Sequence, residues 1–576
     1  MSRVNKIFGT WSSLHTILDK KHKKLYALMV GISIFSAVLE ILGIALLLHT
    51  VLSILKPEFI QHNLLTSYLY NALKLENTRS FILVITSLLF VLYTIKNVIL
   101  VQLNKLQVRY AFKITDKLSG KHYKRIAEQE LLYFKTKKSA EIINELITTT
   151  LSFPETILLS SIMLISELCV ILLMLGAILI YNPYLFLFTF VTVFPTAALL
   201  IYINRKRLSK KGLRLHTIIP LIYENITELT NGISNIKLWN GADYFYNRYS
   251  KFKKESYALK ENIYVNSQFV PIRIYEVIAI TGILCVVLFG ILGDQSTSSI
   301  ISYISIYAGV SFRLLPSVNR IITSSNSLST NDYMLSYLED GIVEKPIVKK
   351  SRPLDFTDNI ALDKASFGYS PNMNVFQDVS LKIDKGQFIG IVGLSGSGKS
   401  TLVNTIASLI EPTSGKLKLD DKVIDKENCR SYRFLFSYVK QDVFMLNASI
   451  VKNIAFLDEE PDIEKVKECI AKVNLEEWVG TLTQGIDTNV GELGGQISGG
   501  QRQRIAIARA LYKDASIFIF DEVTNNLDSY SREQTLKAIS LLKDAGKTAI
   551  FITHKEDELK LCDRVYSLEN KNLVSL

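Results

Sequence analysis

Cysteine is scarce and scattered. The five in this 576-residue chain, Cys169, Cys285, Cys429, Cys469 and Cys562, lie far apart with no C-x-x-C pair. That spacing indicates neither a disulfide framework nor a zinc site. Acidic residues are in deficit: 54 against 66 Lys and Arg, for a net charge of +12. The surplus cations do not form one stripe. They flank apolar segments instead, as in Lys20-Lys21-His22-Lys23-Lys24 just before Leu25. That distribution suits an anionic membrane surface and argues against a nucleic-acid partner. Also missing is a small-residue cleavage pattern after the first apolar run, so the polar start predicts no cleaved signal peptide.

Apolar sequence is abundant. Hydrophobic residues make up 48% and mean hydropathy is +0.22, with the apolar residues crowded into the first part of the chain. Runs at about 25–55, 81–103, 156–180, 184–203, 272–292 and 298–317 each approach or exceed the roughly 20 residues that cross a hydrocarbon core. A soluble domain would not bury so many. They predict an all-α, six-helix transmembrane domain over 1–330. The segment after the second run carries Lys105, Arg109, Lys113, Lys117, Lys121, Lys124 and Arg125; the one after the fourth carries Arg205, Lys206, Arg207, Lys210, Lys211 and Arg214. The short links after the third and fifth runs contain neither Lys nor Arg. The bias predicts cytoplasmic termini and cytoplasmic long loops. In the outer loop, Leu64, Leu65, Tyr68, Leu69, Ala72 and Leu73 form a helical stripe, for a helix lying on the membrane or packed on the bundle. A polar linker is expected at 331–355. From 356 to 576, short β-rich runs alternate with helical segments, the pattern of an α/β domain.

That second domain is organised around Gly393-Leu394-Ser395-Gly396-Ser397-Gly398-Lys399-Ser400-Thr401, which fits the phosphate-binding loop G-x-x-x-x-G-K-[ST]. An apolar strand, Phe388 to Val392, precedes it, and a helical apolar pattern follows. Glycines let successive N–H groups face an anion, and the helix dipole adds to them. Lys399 is expected on the β- and γ-phosphates of ATP and the Ser400 hydroxyl on Mg²⁺. Ile517-Phe518-Ile519-Phe520-Asp521-Glu522 is a strand ending in two carboxylates. Asp521 would hold Mg²⁺ through water, and Glu522 would polarise the attacking water.

Ile497-Ser498-Gly499-Gly500-Gln501, followed by Arg502 to Leu511, puts small residues and a hydroxyl at a helix start, a second anion site. This stretch resembles the signature of ATP-binding-cassette proteins, and the resemblance extends over nearly all of 356–576. It implies an aromatic on adenine at Tyr369, a Mg²⁺-sensing glutamine at Gln441, a joining segment at Asn525-Asn526-Leu527-Asp528, and a γ-phosphate contact at His554. It departs from the family pattern at Ile497 for Leu, at Asn525-Asn526 for Ser-Ala, and at Leu493 for Arg. Because the family shares ATP between two cassettes, it implies a homodimer. The order of domains resembles type I exporters, and the mid-loop segments 130–144 and 231–239 match coupling helices.

Charges inside the spans are candidate cargo contacts. Arg273, Arg313 and Arg320 are the substrate candidates, with Glu40, Lys96, Glu167 and Glu276 nearby in the pattern. Arg313 and Arg320 are seven residues apart, on nearly one helix face, and are expected to face a hydrated cavity. The competing account pairs them with Glu40, Glu167 or Glu276. The stretch Phe312 to Ile322 resembles bacterial lipid-linked oligosaccharide flippases, which implies a pyrophosphate-bearing lipid as substrate at the inner membrane. Lipid A flippases and peptide exporters are the alternatives, with an ATP-gated channel ranked below them.

Overall fold

A backbone crossing lipid must satisfy its own N–H and C=O groups, so the apolar runs fold as helices. The computed structural model describes residues 13–55, 78–181, 183–293, 297–339, 354–370, 373–525 and 527–576. The expected outer helix, most of the linker and Asn526 lie outside these residues. The chain forms two compact units, one of Met1–Gln129 with Phe134–Lys345 and one of Glu130–Tyr133 with Pro346–Leu576.

In the first unit the helices run well past the apolar segments. They are α1 (Lys20–Leu55), α2 (Thr78–Ala127), α3 (Ser139–Ile180), α4 (Pro183–Asn231), α5 (Ala242–Leu292) and α6 (Thr297–Thr330), with the short α7 (Tyr333–Glu339) behind them. The basic segments between the spans are largely further turns of these helices. Among the described residues, five helices are long and apolar enough to cross a membrane. The sixth expected run, 298–317, is helical throughout, on α6.

α6 packs against α3, α4 and α5. Two crossings are close enough to require glycine: a Cβ on Gly212 of α4 would collide with the Thr330 carbonyl of α6, and one on Gly282 of α5 with the Tyr307 hydroxyl. At Gly282, inside the fifth apolar run, a small residue serves this purpose in lipid, where apolar burial alone drives no helix association. One apolar cluster joins Met29, Ala111, Ile114, Phe153, Ile157 and Leu328; a second joins Ala37, Val170, Val193, Tyr275, Leu314 and Val318. α3 contains two π turns, Asn144–Thr149 and Pro154–Leu159, and α5 contains one, Val265–Phe269. Pro154 and Pro271 cannot donate to the helical ladder, and a π turn beside each absorbs the missing bond.

The second unit has two sheets. β1 (Asn359–Ser370), β2 (Met373–Asp384), β4 (Ser414–Leu419) and β5 (Lys422–Val423) form an antiparallel sheet in the order β2-β1-β4-β5. The other sheet runs β10-β9-β3-β8-β7-β6, with β3 at Phe388–Val392, β6 at Phe436–Val439, β7 at Ile517–Asp521, β8 at Thr548–Ile552, β9 at Arg564–Glu569 and β10 at Asn572–Ser575. Its pairs are parallel except β9 with β10. Side chains alternate between two cores, as strand geometry requires. Phe388, Phe518, Phe520 and Phe551 enter one; Ile389, Ile391, Ile517, Ile519, Ile550 and Ile552 enter the other. Burial on both faces explains why β7 and β8 are continuous apolar runs. Each buried phenylalanine contributes roughly 1.5–3 kcal/mol.

Candidate nucleotide site

Neighbouring strands β3, β8, β7 and β6 run parallel, so their C-terminal ends lie together, where open α/β sheets bind ligands. β3 feeds the glycine-rich loop, β6 ends just before Gln441, β7 delivers Asp521 and Glu522, and β8 ends two residues before His554.

The loop curls at Gly393, Gly396 and Gly398, with φ of 143°, 80° and 104°. A Cβ on Gly393 would stand 2.7 Å from the Leu568 carbonyl oxygen, and one on Gly398 would collide with Val375. Only glycine fits either place. Gly398 caps α8 (Lys399–Ile406), leaving the first N–H groups of that helix for an anion. Leu394 and Ser395 are exposed at the loop tip. The Lys399 ammonium donates to the carbonyls of Gly393 at 2.6 Å and Leu394 at 3.0 Å. Burial lowers its pKa, opposed by Glu522 and Asp521.

Ser400 Oγ donates to Asp521 Oδ2 at 3.2 Å, and the Tyr438 hydroxyl donates to the same oxygen at 3.1 Å. Burial holds the Asp521 carboxyl above the ordinary carboxylate range, against these two bonds, and pushes the Tyr438 phenol well up. Ser400 and Asp521 set two hard oxygen ligands side by side, which fits Mg²⁺. Gln441 Nε2 donates to Glu522 Oε2 at 2.8 Å. Tyr369 is 46% exposed, its ring edge-on to Phe367 at 5.1 Å and its hydroxyl 3.0 Å from Thr401 Oγ1.

Not all of the expected residues converge. Ser498 caps α9 (Gly499–Lys513): its Oγ accepts from Gln501 N at 3.2 Å, and Gln501 Oε1 accepts from Ser498 N at 2.8 Å. Gly499 and Gly500 form the first turn. Asp528 caps α10 (Ser529–Asp544), accepting from Ser531 N at 3.0 Å. Among the described residues no hydrogen bond ties Ser498, Asp528 or the exposed His554 to the phosphate loop. Sequence reasoning missed the Tyr438 hydroxyl, although it lies three residues before Gln441 on the strand beside β7.

In the first unit, Arg313 pairs with Glu40 and lines a cavity of about 910 Å³ with Tyr93, Lys96, Tyr275 and Glu276. Arg320 pairs with Glu167 at 2.5 Å and Arg273 with Glu276 at 2.7 Å, and neither lines that cavity. Of the expected arginine stripe, only Arg313 is at its wall. One face of α6 meets α1 at Arg313 and α3 at Arg320, so a shared face does not give a shared environment.

Residues 23–314 match the family described as the ABC transporter transmembrane region, and residues 376–525 match the ABC transporter family. An ATP-dependent lipid A-core flippase of Saccharophagus degradans is 28% identical over 67% of this chain and 65% of its own length. The chain therefore spans just under two thirds of that relative. The flippase of the same description from Burkholderia pseudomallei is 26% identical over 78% of this chain and 76% of itself. The solved structure of a bacterial Atm1-family ABC exporter with ATP bound matches at a TM-score of 0.76, covering 96% of this chain and 94% of that one. At 18% identity that likeness is one of fold. With a transmembrane region matched across more than half its length and a nucleotide-binding domain behind it, the chain belongs to the ABC transporter family, its cassette fused behind the membrane helices in the order of an exporter-type half-transporter.

Proposed function

We propose that two copies of this chain form a homodimer that hydrolyses ATP to flip a phosphate-bearing amphipathic lipid across the bacterial inner membrane. Both termini and the cassettes are cytoplasmic in this reading. The observation that carries the chemistry is the convergence of Ser400, Asp521, Gln441 and Glu522 beside the phosphate loop. Lys399 and the loop N–H groups bind the triphosphate; Ser400, Gln441 and Asp521 hold Mg²⁺, which neutralises phosphate charge when bound. Glu522 orients and polarises water, His554 contacts the γ-phosphate, and Tyr369 stacks on adenine. Ser498 to Gln501 and Asp528 of the second copy close the site.

A lipid cargo is supported by the names of the relatives, lipid A-core flippases. The finer proposal, a pyrophosphate-linked oligosaccharide lipid, rests on Arg313 at the wall of the cavity. Guanidinium binds phosphate oxygens bidentately, which Lys does not copy. Arg320 and Arg273 support that wall through their ion pairs. The test is flipping of labelled lipids in proteoliposomes. Arg313→Lys is expected to lose flipping while keeping basal ATPase. Parental flipping by Arg313→Ala would remove it from the cargo site. Lipid A as the transported species, with no movement of a polyprenyl-pyrophosphate glycan, would select the second reading.

A further inference from the structure

Glu522 follows β7 directly, in a left-handed backbone conformation at φ +50°. A residue with a side chain adopts it at some cost and keeps it only where neighbours over-determine it. They do so on both sides. The Glu522 N–H donates to the Ile552 carbonyl of β8 at 2.9 Å. Two residues on, Thr524 is fully buried; its hydroxyl donates to Glu558, and Lys555 Nζ donates to the Thr524 carbonyl at 2.8 Å.

From this fastened turn, Asn525 Nδ2 donates to Glu522 Oε2 at 2.6 Å, and Gln441 Nε2 donates to the same oxygen at 2.8 Å. Among the described residues nothing bonds Oε1. We propose that Asn525 is a positioning residue for ATP hydrolysis: with Gln441 it anchors one oxygen of Glu522 so that the other is presented to the attacking water. The inference rests on Glu522 as the water-polarising carboxylate. An unanchored glutamate has three side-chain torsions to search, and a small misplacement of a catalytic group costs much of its effect.

The full-length protein in proteoliposomes provides the test, with ATPase kinetics and ATP binding measured on each variant. Asn525→Ala is expected to lower kcat about tenfold while leaving ATP affinity and KM unchanged. Asn525→Asp keeps the shape but sets a charge against Glu522, and is expected to lose more than Asn525→Ala. In a Glu522→Gln background, Asn525→Ala is expected to cost nothing further, because the carboxylate it serves is gone. A parental kcat in Asn525→Ala, beside a Glu522→Gln protein that has lost turnover, overturns the positioning role. So does a loss of ATP affinity as large as the loss of rate. Parental hydrolysis by Glu522→Gln overturns the catalytic assignment, and this inference with it.

Discussion

Asp521 carries a charge that its surroundings disfavour. Burial raises its pKa above the ordinary value of 3.8, and the Ser400 and Tyr438 hydroxyls recover only part of the difference. The linkage has a definite sign. A carboxyl raised in the folded state favours folding fully below its unfolded pKa, and that contribution is lost as pH rises through the folded pKa. Asp521→Asn removes the titration. Without nucleotide, the thermal midpoint of Asp521→Asn relative to the parent is therefore expected to rise from acid towards neutral pH, across the window that starts near the ordinary carboxylate value. A pH-independent difference would refute the linkage. With Mg²⁺ and ATP the order reverses, because a divalent cation favours the ionised carboxylate that only the parent has.

At the scale of elements, glycine crossings make a sharp contrast. At Gly212 the obstacle to a Cβ is the Thr330 backbone carbonyl, and at Gly282 it is the end of the Tyr307 side chain. Alanine at either is expected to destabilise by about 1–3 kcal/mol. Tyr307→Ala, which removes the obstructing ring carbons together with the hydroxyl, should relieve only Gly282→Ala, since it leaves the backbone obstacle at Gly212 in place. Thermal unfolding of the four variants in lipid checks this; equal relief at both sites would contradict it. The same elements show what the sequence made legible. β7 and β8 could be read directly because burial on both faces makes them uninterrupted apolar runs. β1 and β2 could not: Lys364 and Asp378 take left-handed φ where the register shifts, and these breaks disrupt the alternation. The phosphate loop, Asp521 and Glu522 were legible because their spacing along the chain is itself the motif. The Asn525 contact was not, because it depends on the direction in which a strained turn projects its side chain. The partner of Arg313 was open among three glutamates until the crossing of α1 and α6 selected Glu40.

At the scale of the whole molecule, the proposed shared site makes a complementation prediction. Ser498→Arg and Lys399→Ala homodimers should each lose ATPase. Coexpressed in equal amounts, half the dimers are mixed and each has one intact site, so about a quarter of parental turnover should return. Turnover by the Ser498→Arg homodimer alone would exclude the shared site. The last consequence belongs to α2. Its 50 residues contain no proline, whereas α4 holds Pro195 and Pro220. At 1.5 Å per residue α2 is about 75 Å long, about 45 Å more than the roughly 30 Å hydrocarbon core. Pivoted at the bilayer surface, such a rod has mechanical advantage: a tilt of about 5° sweeps its far end through about 4 Å, nearly one strand spacing. A helix with two prolines would spend part of that stroke in bending. In the proposed cycle α2 is therefore a stiffer lever than α4, and a proline inserted near its middle is expected to uncouple transport from hydrolysis while leaving both the cassette chemistry and the cavity in place.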